Sequence, residues 1–332
     1  MIQTLPLVLS IVMSELAIGS FVLLYVLDWR SEVRRSFLLF FTIIYLFFTA
    51  LTYLFQQSFA SQPLLDSFER LDKQWTGYAG PTLLAFLLLL VPYLLFLMLD
   101  RRAGVDGKEK ALHTGEEKTG PFSVLRFLRL VSGGLASAAG LLMLFVLGMI
   151  YRPLAPSPLG GVLTVLSFFI AALAVGGVMT SMWLGHWYLV TPALSERPLL
   201  FSTAVVLIAI VFQILLTLVG ATVGSPAIST AATHATQSTA TAIATPMPTS
   251  SALSTPTAVK PAGVPTVSPL SMDVLGWLRI LLGFAFPLVL GALTWKLARE
   301  RSFQSATGML YLIVVMTLAG EVLARGMFLS AL

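Results

Sequence analysis

The 332-residue chain has no cysteine, which excludes disulfides, thiolate zinc sites and cysteine-ligated iron–sulfur clusters within it. Any such centre has to come from a partner. Asparagine is absent as well, so there is no N-glycosylation acceptor. Charge is scarce: Asp, Glu, Lys and Arg make up 11% of the residues, against 57% hydrophobic. With a mean hydropathy of +0.90, the composition is that of a polytopic membrane protein. A net charge of +5 would suggest nucleic acid in a soluble protein. Here the basic residues lie between apolar runs and report orientation in a membrane, so no nucleic-acid partner is expected. The N-terminus, MIQTLPLVLS, carries no basic stretch ahead of its apolar run and reads as a retained first span, not a cleaved leader. There is no phosphate-cradling Gly-rich loop with Lys-Ser/Thr, no HExxH and no nucleophile triad.

Apolar runs of spanning length occur at Leu5–Leu27, Phe37–Phe59, Ala79–Leu99, Leu130–Tyr151, Leu159–Trp187, Leu199–Val223, Val274–Thr294 and Thr307–Ser330. The predicted fold class is all-α, a polytopic membrane bundle of eight transmembrane helices. The connections after the first, third, fifth and seventh runs hold most of the lysine and arginine, including Arg34, Arg35, Arg101, Arg102, Lys108, Lys110, Arg197 and Lys296. The opposite connections hold only Arg70, Lys73, Arg152 and Lys260. This bias predicts both termini outside the cytoplasm, in a multi-pass protein of the cell membrane. The connection Asp100–Arg129 reads as a solvated cytoplasmic loop. Its end, FSVLRFLRL, is expected to extend the fourth span as an interfacial helix whose arginines, Arg126 and Arg129, reach the headgroups. Residues 224–272 are rich in Ser, Thr, Ala and Pro, with Lys260 as the only formal charge. Such a segment has too few large apolar side chains to offset ordering entropy and reads as a disordered external linker. The organisation is thus 1–223 with helices one to six, the linker at 224–272, and 273–332 with helices seven and eight. No internal repeat is evident.

Ionisable residues inside the runs are the candidates for function, because each costs roughly 2.5–3.5 kcal/mol on insertion scales. Glu321 and Arg325 are four residues apart on one helical face. They could be a self-neutralised packing pair or a proton-handling and ligand-orienting site. Glu15 lies about ten residues in from the outer end of the first run, and Glu321 at nearly the same distance from the end of the last, which sets the two carboxyls at similar depth. Counting outward from the short Trp295–Ala306 connection places Arg279 level with Arg325. Gly276 and Gly283 share the Arg279 face and permit close backbone approach or leave a ligand slot. Together Glu15, Arg279, Glu321 and Arg325 form the expected quinol-binding or proton-handling cluster. Gly177, Ser181 and Gly185 form a small-residue packing stripe. His186, beside Trp183, Trp187 and Tyr188, is either a cytoplasmic-side haem or quinone contact or an interfacial histidine with an ordinary hydrogen bond. His113 and His234 fall in connections on opposite sides, so a bis-histidine haem cannot be assembled, and no metal site or catalytic residue is expected.

The run Leu318–Phe328, LAGEVLARGMF, resembles the closing helix of the membrane anchor subunit of dimethyl sulfoxide reductase, with its AGE-hydrophobic-hydrophobic-x-RG-x-F pattern. The first span, SELAIGSFVLLYVL, is similar in character to that anchor's first helix, and eight spans with external termini match its architecture. The resemblance implies a quinol-interacting anchor of a respiratory oxidoreductase that passes electrons from menaquinol to iron–sulfur and molybdopterin subunits. It implies no covalently bound cofactor and menaquinol or quinone as ligand. The sequence departs from that pattern in three places. The family's histidine near the end of its second span has no counterpart in TYLFQQSFASQP, and neither the Ser/Thr/Pro insertion nor GHWYLVTP belongs to it. The alternative is a polytopic membrane protein without redox function, either transporter-like or structural.

Overall fold

The structure, a computed structural model, describes residues 4–101, 103–105, 124–191, 195–224, 274–330 and 332. The expected linker at 224–272 lies almost wholly outside these residues. Among the described residues eight helices are long and apolar enough to cross a membrane, and those residues form no strand, only an isolated bridge between Arg34 and Gly104.

The helices are α1 (Leu5–Arg30), α2 (Arg35–Phe59), a one-turn α3 (Gln62–Asp66), α4 (Lys73–Leu99), α5 (Val124–Tyr151), α6 (Pro158–Val190), α7 (Arg197–Gly224), α8 (Val274–Ile280), α9 (Phe286–Arg299) and α10 (Phe303–Leu329). Their starts follow local chemistry. Pro6 and Pro158 occupy the first turns of α1 and α6, where a missing N–H leaves nothing unpaired. Asp72 caps α4 by accepting from the Gln74 N–H, and Ser157 caps α6 by accepting from Gly160. α1 ends at Ser31 in a left-handed conformation.

The seventh span is not one continuous α-helix. Leu281–Ala285 form a π-turn between α8 and α9, with the Phe286 N–H reaching back to Leu281. Pro287, two residues into this register, has no N–H to offer the Gly283 carbonyl, so the ladder widens to five-residue spacing there. The apolar run showed no sign of this because hydropathy does not register a hydrogen-bond shift.

Packing sorts the spans into two quartets. α1, α2, α4 and α5 pack in succession and α5 returns to α1; α6, α7, α9 and α10 do the same, with α10 returning to α6. The quartets meet chiefly where α1 lies against α6. This recurrence of one neighbour pattern is invisible as sequence repetition. The outer faces carry apolar side chains such as Phe40, Phe47 and Leu54, exposed as a lipid-facing surface requires.

The α1–α6 contact is backbone on backbone. A Cβ on Gly19 would stand 1.8 Å from the Ala172 carbonyl oxygen, and one on Gly176 would stand 2.1 Å from the Ser20 nitrogen. Polar side chains tie the same seam: Ser20 donates to the Gly176 carbonyl at 3.3 Å, and Thr180 to the Ser20 carbonyl at 3.1 Å. The predicted stripe is a packing face, since Gly177 abuts Val206 and Gly185 abuts Thr307 and Leu310. Gly19→Val is expected to lower stability by at least the ~1–3 kcal/mol typical of overpacking, because the obstacle is main chain and cannot rotate away. Gly308→Ala, where a Cβ meets nothing within 4 Å, is the control expected to melt at or slightly above the parent temperature in detergent.

Candidate functional site

Arg325, on α10 one turn from its end, organises the first ionic cluster. Its Nη2 contacts Glu15 Oε1 of α1, and its Nε lies 2.8 Å from Glu321 Oε1 one turn back on its own helix. Nη1 donates to Ser167 Oγ at 3.4 Å, and the guanidinium sits 4.0 Å from the centroid of the Phe168 ring, both on α6. Phe168 is held in turn by a stacked Tyr151. A guanidinium suits this position because its planar fork serves two carboxylates while its face stays on an aromatic ring. Three spans distant in sequence are thereby joined through one side chain.

Glu321 has both oxygens engaged, Oε1 by Arg325 and Oε2 by the Gln213 amide of α7 at 3.1 Å. Glu15 differs: it is fully buried, its Oε1 is held by Arg325, and its Oε2 has no hydrogen-bond partner among the described residues. Arg279, on α8, donates to Thr217 of α7 at 3.5 Å, lies 5.8 Å from the Phe284 ring, and is close enough to interact with the charges of Glu321 and Arg325. Arg325 thus joins Glu15 and Glu321, and Arg279 lies within range of the charges of Glu321 and Arg325. With all four ionised the cluster is neutral, which is how two buried carboxylates are tolerated at this depth.

Gly283 supplies close approach and not a slot. A Cβ on Gly320 would stand 2.4 Å from the Gly283 Cα, so the π-turn and α10 touch through their backbones beside the cluster. His186 is elsewhere. It is exposed on α6, about 28 Å along the axis from Ser167, and its Nδ1 lies 3.3 Å from the Tyr311 hydroxyl.

Sequence reasoning missed Gln213, Thr217, Ser167 and Phe168. Gln213 carried a signal, a lone amide in the run VVLIAIVFQILLTLV; the others look like unremarkable apolar or small polar residues until the helices are placed.

A second ionic cluster was also missed. At the opposite end of α1, about 20 Å from Glu15, Arg129 lies between Asp28 at 3.4 Å and Asp100 at 3.2 Å. The Tyr93 hydroxyl donates to Asp28 Oδ2 at 3.1 Å. The expectation for FSVLRFLRL is thus half corrected. α5 does begin at Val124 and Arg126 is exposed, but Arg129 is 1% exposed and turns inward. Arg126 and Arg129 are three residues apart, about 60° around the helix and about 4.5 Å along it, and that step takes Arg129 inward to the two aspartates. At the same end, outside the spans, Glu196 is held below the usual carboxylate range by a backbone hydrogen bond and by Arg301, 2.8 Å away.

Among the described residues no group of three His, Cys, Asp or Glu is placed to hold a metal ion. A scan against protein-family models and a search of curated proteins both return no match.

Proposed function

We propose that this chain is a quinol-interacting membrane anchor, in which the Glu15–Arg325–Glu321–Arg279 cluster receives the ring of a membrane quinol and takes its protons. The observation that carries the reading is the unpartnered Oε2 of a fully buried Glu15. A carboxylate oxygen without a donor in the interior is unfavourable, and a ligand hydroxyl supplies the donor it lacks. The resemblance of Leu318–Phe328 to the dimethyl sulfoxide reductase anchor points to the same chemistry.

Oxidising a quinol breaks two O–H bonds and releases two protons and two electrons. Glu15 Oε2 accepts the two protons in turn, giving up the first before the second transfer, while Arg325 holds the carboxyl in place through Oε1 and Gln213 and Arg279 donate to ring oxygens. The acceptor in this reading is Glu15 and not Glu321, because both Glu321 oxygens already have partners. The electrons pass to an iron–sulfur partner subunit and on to a molybdopterin subunit, since this chain has no cysteine to ligate a cluster. With the charge bias placing both termini outside, the protons leave on the exterior side.

The test is binding of a menaquinol analogue to the purified full-length protein in nanodiscs. Glu15→Gln is expected to insert normally, weaken binding about tenfold as a charge-assisted hydrogen bond becomes a neutral one, and flatten its pH dependence. Glu321→Gln is expected to do less. Equal affinity and pH dependence in the parent and Glu15→Gln would mean that the cluster only holds the helices together.

A further inference from the structure

A cavity of about 440 Å³ lies between α4 and α5, at the end of the pair remote from the Arg129 cluster. Its volume falls in the roughly 300–1,000 Å³ range of small-molecule sites. Two helix faces line it. On α4, Trp75, Tyr78 and Thr82 are spaced i, i+3, i+7, and Gln74 stands one turn before Tyr78; on α5, Leu142 and Val146 are one turn apart. Packing fixes these walls. The Trp75 ring meets Phe145 of α5 edge-on with centroids 5.6 Å apart, and Thr82 donates to Met143 Sδ at 3.1 Å. The Gln74 amide, the Trp75 N–H and the Tyr78 hydroxyl, by contrast, make no hydrogen bond among the described residues.

Depth and chemistry narrow the occupant. α4 has 27 residues and is about 40 Å long, which matches the ~40–45 Å of a bilayer with its headgroup layers. Gln74, the second residue of α4, thus stands at headgroup level, and Thr82 lies about 12 Å deeper. By the charge bias this is the exterior side. An aromatic belt accounts for Trp75 and Tyr78 at this level, but not for a cavity beside them that reaches down to a hydroxyl. Among the described residues no Lys, Arg, Asp or Glu lines the cavity. It therefore offers a phosphate no cation and a quinol no carboxylate to take a proton. It offers neutral donors and acceptors spread over about 12 Å beside two aromatic rings, which suits a ring that bears many hydroxyls and lays its C–H face on an aromatic one. Below the cavity the same two faces turn apolar. Ala85 and Leu89 follow Thr82 at i+3 and i+7, Ala139 and Leu135 precede Leu142 by three and seven residues, and all four are half-buried or exposed.

We propose that the α4–α5 cavity binds the sugar headgroup of a neutral glycolipid from the exterior leaflet. The headgroup hydroxyls meet Gln74, Tyr78 and Thr82, the sugar ring lies against Trp75, and the acyl chains run down the apolar strip of Ala85, Leu89, Leu135 and Ala139. That strip separates a glycolipid from a free sugar, which would leave it unused. The site is independent of the quinol reading, because no residue of the Glu15–Arg325 cluster lies on α4 or α5.

The test is native mass spectrometry of the full-length protein in a detergent without a sugar headgroup, titrated with a monoglucosyl diacylglycerol. This lipid is expected to bind at least tenfold more tightly than the diacylglycerol or the phosphatidylglycerol with the same acyl chains, and far more tightly than glucose alone. Leu142→Trp fills the cavity from an exposed position and is expected to raise the Kd at least tenfold. Leu95→Trp, at an exposed position of α4 farther from the cavity, is expected to stay within twofold, and both variants to melt within a few degrees of the parent. Gln74→Ala is expected to raise the Kd about fivefold, the value of one neutral hydrogen bond. Phosphatidylglycerol or diacylglycerol binding as tightly as the glycolipid would overturn the proposal, since the site would then read charge or acyl chain and not sugar. So would an unchanged glycolipid Kd in Leu142→Trp. Binding of the menaquinol analogue that is lost in Leu142→Trp and kept in Glu15→Gln would assign the cavity to the quinol and overturn it as well.

Discussion

Arg325→Ala is expected to leave little folded protein. The substitution strands two carboxylates, Glu15 and Glu321, that are 0% and 6% exposed. Breaking one buried pair by removing a partner typically costs ~3–5 kcal/mol, and whole domains hold only about 5–15 kcal/mol. Here one cation faces two carboxylates and covers the Phe168 ring, so the loss falls at or above the upper end of that range. Part of it will be relieved by protonation of one carboxyl. The Arg279 charge remains in range, and Arg279 also donates to Thr217. Membrane-inserted yield and the denaturant midpoint in mild detergent are the measurements. Arg325→Lys restores the charge without the fork and is expected to recover part of the loss. Adding Glu15→Gln and Glu321→Gln to Arg325→Ala is expected to recover more of it, because the defect is stranded charge and not a missing contact. If Arg325→Ala melts with the parent, the cluster is neutralised by something other than Arg325.

How much of this was legible in the sequence differs by feature. The eight spans were readable because a bilayer demands about 20 apolar residues in series, and nothing else in the chain imitates that. The pairing of Glu321 with Arg325 was readable because it is a four-residue helical spacing. That Glu15 joins them was readable only as a depth, since which face of α1 meets α10 depends on how α6 packs between the quartets. The close approach of Gly19 and Gly176 that sets this packing involves glycines that look like any others in an apolar run. The π-turn was hidden for a different reason. It follows from one absent N–H at Pro287, which hydropathy does not register.

Charge bias gave an orientation for Arg129 and concealed its partners. A basic residue at a span boundary is ordinarily a headgroup contact, and Arg126 is placed that way. Arg129, three residues on, is among the most buried large side chains of the protein, and the aspartates that hold it, Asp28 and Asp100, lie at the ends of α1 and α4. Counting charges by connection puts all three in solvated loops. About 60° of helix phase and about 4.5 Å of depth separate the two arginines.

Arg129→Ala is accordingly expected to destabilise the protein strongly, by ~3–5 kcal/mol on the same argument of stranded charge. The result should be somewhat milder than for Arg325→Ala. Asp100 sits at the end of α4, one helix terminus from water, where solvent can enter to hydrate an unpaired carboxylate, whereas Glu15 lies about 15 Å into α1. Asp28 retains the Tyr93 hydroxyl at 3.1 Å, which offsets a further part. Asp28→Asn with Asp100→Asn in the Arg129→Ala background is expected to restore most of the denaturant midpoint. The two ionic clusters stand about 20 Å apart on α1 and share no side chain, so the Arg129→Ala and Arg325→Ala losses should add within about 0.5 kcal/mol when measured in a stabilised background. The distinguishing readout is ligand binding. The fraction of Arg129→Ala that remains folded should bind the menaquinol analogue with the parent Kd, because no group of the proposed quinol cluster has changed. A Kd raised tenfold in that folded fraction would show that the cluster around Arg129 controls the site from the other side of the bilayer and that the two ends of α1 do not act independently.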